Sequence, residues 1–246
     1  MLKTILGDEL RLLTFRRVSP AIQTHWKAYL AFGFFFTWLA GVGRYWDNPR
    51  ADLWQHLGLG SVVYVLTLAL ILWLILAPLR PKSWSYKNVL LFLTLTSPPA
   101  VLYAIPVERF LPPATAAEAN AWFLAVVAAW RVALLGVFLR RVARLDYLAL
   151  IVATLLPLAI IVIALALLNL EHVLFDLMAG IAPGNESGND VAYQVVFGLA
   201  YVSFLSAPFL GAAYLIFIFR AWRRARRDKQ LTPPRPGPVE IQEEGE

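Results

Sequence analysis

The chain has 246 residues, 59% of them hydrophobic and only 15% charged, with a net charge of +6 and no cysteine. A soluble domain of this size needs far more polar surface, so lipid is the solvent for most of the chain; the missing cysteines exclude disulfides, thiolate catalysis and cysteine-ligated zinc or iron–sulfur clusters. The positive charge does not point to nucleic acid, because the basic residues are spread between apolar runs and do not cluster on a soluble domain.

In chain order, Leu2, Ile5, Leu6, Leu10 and Leu13 recur at helical spacing, with Lys3, Thr4 and Arg11 opposite. This predicts an amphipathic helix in the membrane interface, ended by Ser19-Pro20. Residues 1–26 show no continuous apolar segment with a small-residue cleavage site, so no secretory signal peptide is expected and the first span targets the chain. Six apolar runs follow: Lys27 to Gly43, Leu57 to Ala77, Asn88 to Ile105, Ala119 to Leu139, Tyr147 to Leu168 and Val191 to Phe219. Each is compatible with crossing a hydrocarbon core that needs about 20 helical residues, and the last is long enough to tilt or protrude. Between the fifth and sixth runs, Leu170, Val173, Leu174 and Leu177 form one stripe, and Ala182 to Asp190 reads as a Gly/Asn/Ser turn. Residues 220–246 form a tail that is basic, then proline-rich and acidic, with too little apolar surface to fold alone.

The gaps between runs alternate in charge. Those before the first run and after the second, fourth and sixth hold 18 Lys and Arg residues; the other three hold only Arg44, Arg50 and Arg109. Cationic loops stay on the cytoplasmic side during insertion, so both termini are expected inside. Tryptophans agree independently: Trp26, Trp84 and Trp222 fall at the inner ends, Trp46, Trp54 and Trp122 at the outer ends. The fold class expected is therefore all-α: a six-span polytopic membrane bundle over residues 27–219, with a short amphipathic N-terminal segment over 1–26. The cysteine-free, Ala/Leu-rich composition suggests a bacterial inner membrane, and the inner loops suggest anionic lipid headgroups as partners, with a membrane-protein partner or a second copy also open.

Two Ser-and-Pro steps stand near mid-membrane: Ser97-Pro98-Pro99 in run three and Ser206-Ala207-Pro208 in run six. Proline removes a backbone donor and frees a carbonyl one turn earlier, which lipid cannot satisfy. The two occupy the third helix of each three-helix half, and the halves cross in opposite directions, the arrangement of a 3+3 inverted-repeat transporter with its site at broken helices. Packing kinks are the competing account, since Pro157 also lies in run five.

Arg131 is the one ionisable side chain deep inside a run. A charge there costs on the order of 3 kcal/mol, so it is expected to face the bundle and meet freed carbonyls, hydroxyls or a bound anion, unless it snorkels to headgroups. In the outer loops, Asp52/His56 and His172/Asp176 are i, i+4 pairs that share a helical face and could join in a divalent-metal site; ordinary surface pairs have the same spacing. No H-E-x-x-H, G-x-S-x-G, Walker A or dinucleotide fingerprint occurs, no acid–base pair lies within the runs, and no resident cofactor is indicated. The expectation is a non-enzymatic membrane protein, either a small permease or transporter subunit using Arg131, Ser97, Pro98, Pro99, Ser206 and Pro208, or a membrane scaffold in which those residues only shape packing.

Overall fold

A computed structural model describes residues 1–42, 53, 57–167 and 186–231, and among these every regular element is helical. The helices are α1 (Leu2–Leu13), α2 (Ala21–Thr24), α3 (Trp26–Val42), α4 (Leu59–Leu76), α5 (Tyr86–Leu95), α6 (Pro113–Arg141), α7 (Tyr147–Leu167) and α8 (Glu186–Leu231). Four are long and apolar enough to cross a membrane, over Leu59–Leu79, Glu118–Arg141, Tyr147–Ala164 and Phe197–Arg227. The first and third expected runs are not among these four. The first is the 17-residue α3, and the third is the ten-residue α5 followed by a 3-10 segment, Pro98–Ala104.

Two groups of three helices pack together. In the first, α3 and α5 lie side by side and α4 packs on both; in the second, α7 has its largest contact with α8 and a smaller one with α6. The groups meet where α6 leans on the 3-10 segments 98–104 and 107–109. Their common core joins Leu72 and Leu76 of α4, Phe92 and Leu93 of α5, and Leu134 and Leu139 of α6. Phe92 and Phe138 stack there with centroids 4.3 Å apart.

Close approach in the first group depends on glycine. A Cβ on Gly33 of α3 would stand 2.6 Å from the Thr94 Cβ and 2.8 Å from the Thr94 backbone carbon. Helices in lipid lack a hydrophobic force pushing them together, so such small-residue contacts supply the dispersion energy that does. At the end of α3, Gly41 abuts Gly58, which enters α4 in the left-handed conformation (φ 71°) that glycine adopts without cost. Across the same joint the Trp38 indole N–H donates to the Leu57 carbonyl at 2.9 Å.

α8 behaves differently. Its 46 residues make a helix about 70 Å long, more than twice a hydrocarbon core, so it runs through the apolar stretch and on through the basic cluster to Leu231. The segment expected as a turn is helical from Glu186: extending an existing helix fixes one residue per bond, far cheaper than nucleating one. Within α8 only Ala200 and Ser203 are buried among the residues whose burial is described, and Phe197, Phe209 and Leu215 are largely exposed. The tail beyond Leu231 lies outside the described residues.

Candidate functional site

The polar residues within the bundle begin with the α5 break. Pro98 and Pro99 have no N–H, so the carbonyls of Thr94 and Leu95 lose their usual donors four residues on. The Ser97 N–H turns back to the Thr94 carbonyl at 3.1 Å and the Ala100 N–H to the Ser97 carbonyl at 2.8 Å, which tightens the chain into a 3-10 path. Thr94 and Thr96 donate to carbonyls of their own helix at 3.0 and 2.9 Å. Ser97 is buried, accepts from the Thr37 hydroxyl of α3 at 2.8 Å and donates back to Leu93 at 3.3 Å; the Gly33 carbonyl, 2.9 Å from Thr37, is the alternative acceptor. The Thr37 and Ser97 hydroxyls thus pair across this seam, and the Ser97 N–H gives the Thr94 carbonyl a new donor.

Arg131 lies on α6, the helix that packs against the 3-10 segment 98–104. Val127, one turn before it on α6, packs against Ala40 of α3 and Ala100 just beyond the two prolines. Leu134 and Leu135, one turn after it, pack in the core with Phe92 and Leu93. Residues three and four apart share a helix face, so Arg131 lies on the same face of α6 as these buried residues. Its side chain is half-buried, and its Nη2 is buried with no hydrogen-bond partner. Next to it, the Trp130 indole N–H donates to the Leu13 carbonyl at the end of α1 at 3.0 Å.

The second proline step lies elsewhere. Pro208 is exposed within continuous α8, and Ser206 donates to the Ser203 carbonyl of its own helix at 3.3 Å. α8 packs chiefly on α7, not on the α3–α5 seam, so Ser206 and Pro208 lie apart from Ser97, Pro98 and Pro99, whose 3-10 continuation packs against α6, the helix that carries Arg131. Asp52, His56, His172 and Asp176 lie outside the described residues; among the described residues no group of three His, Cys, Asp or Glu side chains comes together.

Sequence reasoning missed the carboxylates of α1. Asp8 is 2% exposed and Glu9 6% exposed, while Leu2, Leu6 and Leu10 of the expected apolar stripe point outward. Ile5 alone of that stripe is fully buried, packed with Tyr29, Leu91 and Leu95. Asp8 accepts from the Arg11 guanidinium (3.2 Å), the Ser19 N–H (3.0 Å), the Ser19 hydroxyl and the Tyr29 hydroxyl (2.6 Å). Burial alone would raise its pKa, but these donors outweigh it and hold Asp8 below its ordinary value. Glu9 has no partner for either carboxylate oxygen, and burial pushes its pKa up to about 8. The sole sequence signal was that Asp8 and Glu9 sit among leucines, a pattern that surface helices share.

No family model, curated protein or solved structure matches this chain.

Proposed function

We propose that this chain is a small, non-enzymatic permease or transporter subunit of a cell membrane, and that Arg131 of α6 meets an anionic group of its cargo. The observation that carries this reading is the buried, unpartnered Nη2 of Arg131, on the helix that packs against the 3-10 segment following the two prolines. An ionisable side chain inside a membrane bundle is costly and is a functional-site candidate for that reason, and the planar five-donor guanidinium suits an oxyanion. Six crossings with both termini inside remain compatible with the helix lengths. α3 spans about 26 Å, and α5 with its 3-10 continuation about 30 Å, close to the core thickness. Reporter fusions after Asp190 and after Lys229 should then lie on opposite sides of the membrane; the same side for both removes the topology.

The site is tested by thermal unfolding of the detergent-purified chain against a panel of small carboxylates, sulfonates and phosphates. At least one anion is expected to stabilise the wild type and to lose that effect in Arg131→Gln. If no anion stabilises the wild type and Arg131→Leu is neutral or stabilising, the site reading fails.

A second reading, a non-catalytic scaffold, is favoured by the uncovered apolar face of α8. There Arg131 would be a packing clamp. A protein partner co-purifying equally well with wild type and Arg131→Gln, together with no anion effect, would select it.

A further inference from the structure

The turn between α6 and α7, residues 142–146, holds a recess of about 440 Å³ lined by Arg140, Arg144, Leu145, Asp146 and Tyr147. The Arg140 guanidinium lies over the Tyr147 ring, 3.7 Å from its centroid, which fixes the cation without neutralising it. Asp146, the one carboxylate of the lining, already faces Arg224 of α8 at 3.8 Å. Among the described residues neither Arg140 nor Arg144 has a carboxylate partner. The neighbouring loop thickens the positive field, since the Lys82 N–H donates to the Ala143 carbonyl at 3.0 Å and Arg80 lies over Trp222 of α8 at 4.5 Å.

Arg144 reverses the chain with φ 53°, in the left-handed region where glycine is the undemanding residue. A side chain there costs on the order of 1 kcal/mol and contributes nothing to the turn, so the turn is less stable for carrying this arginine. Depth and surroundings point to what it meets. The recess sits between the last residue of one apolar helix, Arg141, and the first of the next, Tyr147, which is headgroup level for a bilayer. Directly along α7 from Tyr147, Leu148, Ile151 and Leu155 form an exposed apolar stripe at helical spacing, a track for an acyl chain.

We propose that this recess binds the phosphate of an anionic lipid headgroup, with Arg140 and Arg144 as donors, Tyr147 holding Arg140 in position, and the acyl chain along Leu148, Ile151 and Leu155. Two guanidinium forks match phosphate oxygens in a way that scattered lysines do not. The assignment rests on the chain being membrane-embedded, and the site is separate from Arg131.

The test uses the full chain. Wild type, Arg144→Gly, Arg140→Gln and Arg17→Gln are first checked for retention in carbonate-washed membranes, then unfolded thermally in neutral detergent with added dioleoylphosphatidylglycerol, dioleoylphosphatidylcholine or inorganic phosphate. Phosphatidylglycerol should raise the wild-type Tm by several degrees while the other two do not, as a ligand that favours the folded state must. Arg144→Gly, relieved of its backbone strain, should match or exceed the wild-type Tm without lipid yet lose at least half the phosphatidylglycerol shift. Arg140→Gln should lose as much of the shift, and Arg17→Gln, an exposed change elsewhere, none of it. An undiminished shift in both recess variants, or equal shifts from the two lipids, overturns the proposal. The full effect from inorganic phosphate alone overturns the lipid as occupant and assigns the recess to a soluble phosphate. Release of the wild type by carbonate would overturn the membrane reading itself, whereas retention without a lipid shift sinks the recess alone.

Discussion

The two proline steps of this chain read almost alike in sequence and end in opposite structures. At Ser97-Pro98-Pro99 the helix stops at Leu95 and resumes as 3-10, whereas α8 runs through Ser206-Ala207-Pro208 unbroken. Two consecutive prolines remove two donors in succession, which one helical turn cannot absorb, while a single proline removes one. The surroundings differ as well. The α5 break is buried against Gly33 and Thr37 of α3, which accept its altered path, while Pro208 faces outward on a helix held mainly by α7. A proline's consequence is therefore set by how many donors go missing together and by what packs on them.

The strongest way to break this contrast is to crowd each seam. Gly33→Leu puts a side chain where even a Cβ meets the Thr94 backbone at 2.8 Å, and overpacking against backbone should cost about 3 kcal/mol or more. A Cβ at Gly211 of α8 meets nothing within 4 Å, so Gly211→Ala should be neutral or slightly stabilising. Thermal unfolding in one detergent compares the two; equal losses would remove the distinction between the seams.

The next effect belongs to α1, whose buried Glu9 is docked beside the same α3–α5 group. Its folded pKa of about 8 stands above its ordinary 4.5, so the stability linked to it is complete below pH 4.5 and is lost as pH rises towards 8. Between about pH 6.5 and 8 the loss should approach 2 kcal/mol, and Glu9→Gln should abolish that slope. Asp8 has the opposite sign: its lowered pKa contributes stability above its ordinary value, lost only as pH falls through the folded one. Hydrogen exchange of α1 amides against pH reads both, and an identical slope in Glu9→Gln would rule Glu9 out.

Smaller still is the paired hydroxyl deletion. Ser97→Ala leaves Thr37 without its cross-helix partner in a buried seam and should cost about 1 kcal/mol, while Ser206→Ala removes a bond within one helix and should change stability by less than about 0.5 kcal/mol. Equal Tm shifts for the two would show that Ser97 does not join α3 to α5.

What could be read from the chain alone was whatever depends on composition along it. The all-helical class, the four longest apolar helices and the concentration of cations at alternate loops follow from hydropathy and charge, because lipid forces every backbone polar group to pair within its own segment. Arg131 was legible for the same reason, as a cost with no local remedy. What only tertiary packing decided were choices between faces and partners. The leucine stripe of α1 marks one apolar side, but the donors Ser19 and Tyr29, 11 and 21 residues on from Asp8, meet its carboxylate on another side, which faces the bundle. Likewise the α5 break closed on α3 because Gly33 left room for Thr94, and Ser206 stayed apart because α8 packs on α7. Such outcomes depend on which surfaces meet, and contacts between residues distant in the chain leave no periodicity within it.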